Sequence, residues 1–177
     1  MKEHQLVCFE EQAPPWKLKF HYKSSERFLS FNFQLEGDAK ALGLSANKNL
    51  KGQRMIGLWK KTCFEFFLGL NGKPQYLEFN FAPDHNWNAF SLKSYRGDLD
   101  ELTHLDDPQL MSEHFNNVYS LFGEIDLHKL PLEFRETSEL TLNACAILRH
   151  KDKAFHYAIR HTEKEPNFHH PSTFVRF

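Results

Sequence analysis

The dipeptide Asn71-Gly72, set between two runs of alternating residues, constrains this chain more than any other feature. A two-residue type I′ hairpin turn needs positive φ at both central positions, which Asn and Gly tolerate and most residues do not. With these two as the loop, counting outward sets Leu70 against Lys73 and Phe67 against Tyr76. It sets Phe66 against Leu77, Glu65 against Glu78, Phe64 against Phe79, and Cys63 against Asn80. Side chains alternate across a strand. One face then carries Phe64, Phe66, Leu77 and Phe79, and the other carries Cys63, Glu65, Phe67, Tyr76, Glu78 and Asn80.

A third strand is expected over about 89–96, after the loop PDHNWN. Keeping apolar opposite apolar sets Phe81 against Phe90 and Phe79 against Leu92. Asn80 then meets Ser91, Glu78 meets Lys93, and Tyr76 meets Tyr95. A slip by one residue would invert every face, so this register is preferred. Like charges directly opposite each other destabilise a sheet. Glu65 and Glu78 therefore need compensation from Lys93, Arg96 or a ligand rich in hydroxyl groups. A Cβ separation of about 5 Å also fits the acid and nucleophile of a retaining glycosidase.

The same alternation recurs along the chain. An entry strand or arm over 1–15 ends at Pro14-Pro15, and Trp16 to Tyr22 pairs with Leu29 to Leu35 across a turn at 23–26. That pairing sets Trp16 against Phe33, Leu18 against Phe31, and Phe20 against Leu29. Residues 36–58 are irregular, with glycine breakers, the charges Lys48, Lys51 and Arg54, and room for a short strand near 41–45. Residues 97–116 read as an acidic loop with a helical turn near 109–114. A strand follows over 119–127, then a corner or short helix over 128–134. Residues 140–148 pair with 155–159, Leu148 against Phe155 and Ala146 against Tyr157, and a last strand lies near 174–177. Eight to eleven strands joined by tight turns predict an all-β, two-sheet antiparallel sandwich.

A length of 177 residues suits one domain over residues 1–177. A net charge of −1 gives no electrostatic case for nucleic acid or an anionic membrane. Three scattered cysteines, Cys8, Cys63 and Cys145, argue against a disulfide framework and for a reducing compartment. The segment MKEHQLVCFEEQ lacks the apolar run of a signal peptide, and no stretch is long enough to span a bilayer. A cytoplasmic location is the expectation. No Cys/His zinc spacing, phosphate-cradling glycine loop, GxSxG, HExxH or dinucleotide fingerprint occurs.

Trp59 with Glu65 six residues on, then YLEFNFAPDHNW and SYR, resembles DOMON domains and family-nine carbohydrate-binding modules. AFHYAIRH followed by PNFHHP is similar to the ending of an uncharacterised bacterial DOMON-like group. The resemblance runs from about Leu58 to His170. It implies an immunoglobulin-like β-sandwich that binds a sugar or haem. In family-nine modules a terminal sugar lies between two tryptophans while charged residues reach its hydroxyls. Trp59 and Glu65 match the first tryptophan and its acid; Trp87, Tyr157 and Phe168 are candidates for the second aromatic. Haem-holding relatives use methionine and histidine, and the internal methionines here, Met55 and Met111, stand in no such motif.

The expected ligand-binding set is therefore Trp59, Glu65, Tyr76, Glu78, Asn80, Trp87, Lys93, Tyr95 and Arg96. Tyr157, His161 and His169 form a secondary set. The expected ligand is a saccharide or similar small polar molecule, with no catalytic residue, metal or cofactor. The alternatives are a haem- or metal-binding domain and a glycosidase using Glu65 and Glu78.

Overall fold

The computed structural model describes residues 1–44, 46 and 51–177. Its strands are β1 (Lys2–Cys8), β2 (Lys17–Ser24), β3 (Phe28–Glu36), β4 (Cys63–Leu70), β5 (Tyr76–Phe81) and β6 (Trp87–Leu92). They continue as β7 (Asp100–Glu101), β8 (Met111–Phe115), β9 (Val118–Asp126), β10 (Leu140–His150), β11 (Lys153–Ala158) and β12 (Val175–Arg176). The single α-helix among the described residues, α1 (Leu132–Arg135), is one turn long.

The strands form one antiparallel sheet in the order β7-β6-β5-β4-β10-β11-β1-β2-β3-β9-β8, with β12 added to β10. It folds over into two layers at β1, which pairs with β2 through Lys2–Leu6 and with β11 through Val7 and Cys8. Rings from the two layers meet inside: Phe31 on Phe66 and Phe81, Phe33 on Phe64, and Phe64 on Tyr119. Eighteen phenylalanines suit this arrangement, because large flat side chains fill the space between pleated surfaces.

Both early hairpins differ in register from the expectation, each by an even number. Phe66 pairs with Phe79 and Phe64 with Phe81, so the β4–β5 connection covers 71–75. Only Gly72 takes positive φ there, at 70°. Pro74 has no N–H to give a ladder, so the loop lengthens past the Asn-Gly pair. In the β2–β3 hairpin Phe20 faces Phe33 and Tyr22 faces Phe31. Even shifts leave each side chain on its predicted face.

The β5–β6 register differs by an odd number. Phe79 faces Ala89, Phe81 faces Trp87, and Glu78 faces Phe90. The shift is three residues, so the faces of β6 invert, as they would in the disfavoured one-residue slip. Trp87, expected in a loop, begins β6 and points inward at 1% exposure. The small Ala89 beside it lies against the large Phe79. Arg54 covers the Trp87 ring, 4.1 Å from its centroid, and donates to the Leu102 and Leu105 carbonyls.

Residues 111–115 form strand β8 in place of the helical turn expected near 109–114. Lys40–Leu42 form a 3-10 turn where a short strand was expected; Ser45, like Lys48, lies outside the described residues. The β10–β11 pairs Leu148–Phe155 and Ala146–Tyr157 match the expectation. Among the described residues no helix is long and apolar enough to cross a membrane.

The outward face of β4, β5, β6 and β10 is covered too. Phe67, Tyr76, Phe90, Leu92, Cys145 and Phe168 form a second core there, with Trp59, Ile147 and Phe174 packed against it. Asn143 on β10 clips the cover in place, donating to the Phe168 carbonyl and to the Thr173 hydroxyl. The polar row predicted for this face is thus roofed over.

Candidate functional site

Antiparallel pairing sets the floor of the site. Cys145 on β10, Glu65 on β4, Asn80 on β5 and Asn88 on β6 stand in one cross-strand row. Phe67, Glu78 and Phe90 stand in the next. Glu65 and Glu78 are diagonal neighbours on one face, not the directly opposed pair that the shorter loop predicted. Both are nearly sealed, at 3% and 4% exposure.

Each carboxyl has one satisfied oxygen and one bare one. The Asn80 amide donates to Glu78 Oε1 at 2.8 Å, and the Cys145 thiol donates to Glu65 Oε2 at 3.5 Å. Glu65 Oε1 and Glu78 Oε2 are buried without a hydrogen-bond partner. Among the described residues no lysine or arginine forms an ion pair with either carboxyl. Burial, reinforced by the charge of Glu78, pushes the Glu65 carboxyl up to about 8. Burial also raises Glu78, against the hydrogen bond from Asn80. Burial and the neighbouring Glu65 charge hold the Cys63 and Cys145 thiols well above their ordinary range, so both stay neutral.

Both glutamates line a pocket of about 390 Å³. Leu92, Ile147 and Phe168 give it apolar walls, and Trp59, Arg96, His156 and His169 stand around it. Trp59 comes from a 3-10 turn at Leu58–Lys60 and lies half-buried with its ring edge-on to Phe90, 6.0 Å between centroids. Of the three candidates for a second aromatic, Phe168 lines this pocket.

Two histidines are fixed by partners on their Nδ1 atoms. His156 Nδ1 lies 2.7 Å from Glu10 Oε1, so it donates there and Nε2 is the free nitrogen. Burial works to raise Glu10, but the hydrogen bonds from the His156 ring and backbone outweigh it and hold the carboxyl below its usual range. Tyr76 Oη accepts from the Arg96 backbone N–H and lies 2.8 Å from His169 Nδ1. Burial and the nearby Arg96 charge push His169 down to about 4, so the ring is neutral.

Several expected residues lie elsewhere. Trp87 belongs to the inner core. Lys93 is exposed and pairs with Asp100 at 3.4 Å, because the odd register turns it away from Glu78. Tyr95 accepts from Asn167 at 2.7 Å and lines a neighbouring groove of about 470 Å³ with Tyr76 and His169. Asn80 is fully buried beneath the pocket and acts on it through Glu78. Arg96 reaches the rim and makes no ion pair with Glu65 or Glu78 among the described residues. Tyr157 faces the inner core and donates to the Trp16 carbonyl. His161 is bonded to the Val7 carbonyl, 2.8 Å away. Met55 and Met111 are surface residues. Sequence reasoning missed His156 and Glu10, which are separated by 146 positions and meet only through the fold.

Comparison with solved structures places this architecture. A candidate carbohydrate-binding protein from Bacteroides uniformis superposes over 98% of this chain and 84% of its own, at 13% identity and a TM-score of 0.70. A family 9 carbohydrate-binding module from Caldicellulosiruptor kristjanssonii, in complex with glucose, covers 93% of this chain and 77% of its own, at 11% identity and a TM-score of 0.58. In fold, the chain is similar to a family-nine carbohydrate-binding module. No protein-family model matches the sequence, and no curated protein does. Within this module-like fold, the pocket beside Trp59 combines an indole, apolar walls and two bare carboxyl oxygens.

Proposed function

We propose that the protein is a non-catalytic saccharide-binding domain that takes a sugar into the pocket beside Trp59. The carrying observation is the pair of buried, unpartnered oxygens, Glu65 Oε1 and Glu78 Oε2, in a pocket of about 390 Å³. An unpaired buried acceptor costs about 1–3 kcal/mol, which a ligand hydroxyl would recover. An indole face suits the C–H face of a pyranose, and buried acceptors below suit its hydroxyls. The glucose-bound family 9 module of similar fold supports the same ligand class.

The test is a titration with a panel of mono- and disaccharides, followed by tryptophan fluorescence and calorimetry. Binding by at least one sugar, weakened about tenfold or more in Trp59→Ala, is the expected result. A flat response to the whole panel would sink the reading.

One observation favours a second reading. A raised carboxyl beside a second carboxyl in one pocket is the arrangement with which glycosidases split acid and nucleophile roles. Aryl glycosides decide it: release of phenol that stops in Glu65→Gln would carry the hydrolase, and no release would remove it.

A further inference from the structure

We infer that the pocket beside Trp59 selects a saccharide bearing a free ammonium group, an amino sugar, whose nitrogen sits between Glu65 and Glu78. The inference rests on the saccharide reading above and narrows it. A neutral sugar asks for donors and acceptors in comparable numbers. Two glutamates that are diagonal neighbours on the sheet line this pocket, both more than nine-tenths buried and each with one unpartnered oxygen. Their other oxygens are already taken by Asn80 and Cys145. No described lysine or arginine forms an ion pair with either acid.

Among the described residues nothing else facing the pair supplies the charge. On β4 the neighbour is the Cys63 thiol, and on β10 it is the Cys145 thiol. On β5 the titratable neighbour is the Tyr76 phenol, held up to about 12 by burial. From β11 comes His156, whose Nδ1 is bound to Glu10. From the C-terminal segment comes His169, kept neutral. Among the described residues the one permanent cation in the pocket lining is Arg96, an exposed rim residue whose guanidinium lies 6.0 Å over the Tyr95 ring. A ligand ammonium has three donors and a full charge, and two neighbouring buried carboxyls are its natural acceptors. Trp59, half-buried at the same pocket, offers the indole face on which the sugar ring would lie.

Binding is linked to protons. The empty pair retains a proton because burial penalises two adjacent charges. An entering ammonium replaces that charge balance, and the retained proton leaves to solvent. Affinity therefore rises with pH above 5, until the amine itself begins to lose its proton.

The experiment compares glucosamine, N-acetylglucosamine and glucose by calorimetry at pH 7, in two buffers of different ionisation enthalpy. Glucosamine should bind about tenfold or more tighter than glucose, since a charge-assisted hydrogen bond is roughly twice as strong as a neutral one. N-acetylglucosamine should fall to the level of glucose or below. The apparent enthalpy for glucosamine should differ between buffers, reporting proton release. Glu65→Gln and Glu78→Gln should abolish the preference, with their melting temperatures showing that the fold is intact. Equal affinity for glucosamine and glucose would overturn this inference and leave the saccharide reading standing. No binding by any of the three, with no response across the wider panel, would overturn both.

Discussion

Replacing Glu65 by glutamine should stabilise the protein, and by an amount that depends on pH. The folded state holds the Glu65 proton up to about 8, against an ordinary value of 4.5, because burial and Glu78 disfavour the anion. Between those two values the folded protein binds more protons than the unfolded chain, so stability falls as pH rises. The dependence starts near 4.5 and levels off above about 8. At roughly 1.4 kcal/mol per pH unit, the penalty reached by pH 7 is on the order of 3 kcal/mol. Glutamine keeps the shape of the protonated acid and cannot ionise, so Glu65→Gln escapes that penalty. Urea denaturation at pH 5, 7 and 8.5 gives the comparison. The two proteins should be nearly equal at pH 5, and the variant clearly more stable at pH 8.5. A wild-type midpoint that stays flat across this range would refute the buried-pair argument, as would a variant weaker at every pH.

Gly69→Ala should destabilise by about 1–3 kcal/mol, because its Cβ would lie 2.6 Å from Thr141 Oγ1 and 3.1 Å from two Phe174 ring atoms; an unchanged melting temperature would count against the close packing of the roof. His169, pushed down to about 4 from 6.5, takes up its proton less readily in the folded state. Its neutral form contributes stability that is complete above 6.5 and lost as pH falls through about 4. His169→Gln should therefore flatten the acid side of the stability curve between pH 6.5 and 4, measured by the same denaturation series. Trp59→Ala should lower saccharide affinity about tenfold while moving the melting temperature by only a few degrees, because the ring is half-exposed and touches the second core at its edge.

The faces of most strands were legible because alternation is local. The turn at 71–72 was located correctly and the length of its loop was not, since Pro74 extends it. That error was even, so Glu65, Glu78 and the phenylalanines kept their sides. The β6 error was odd because Trp87 looked like a loop residue. Its burial depends on Arg54, which lies 33 positions earlier and shows no sign in the local pattern. Lys93 was lost from the site for this reason, while Tyr95 lies past the end of β6 in the neighbouring groove. The roof of Phe168 and Phe174 was equally non-local. A trace of it existed in the apolar residues Phe67 and Phe90, set among polar neighbours on the outward face and too large to be left in water.

Strand β1 takes its partners from opposite ends of the chain. Its first residues pair with β2, close by in sequence, and its last two pair with β11, about 150 positions away. The Glu10–His156 contact lies at that same seam and reaches the pocket beside Trp59 through His156. During synthesis this segment leaves the ribosome before β11, so it cannot acquire its full set of partners until β11 has followed. The joining of the two layers at β1 and the fixing of His156 in the pocket wall therefore both wait on the pairing of β1 with β11.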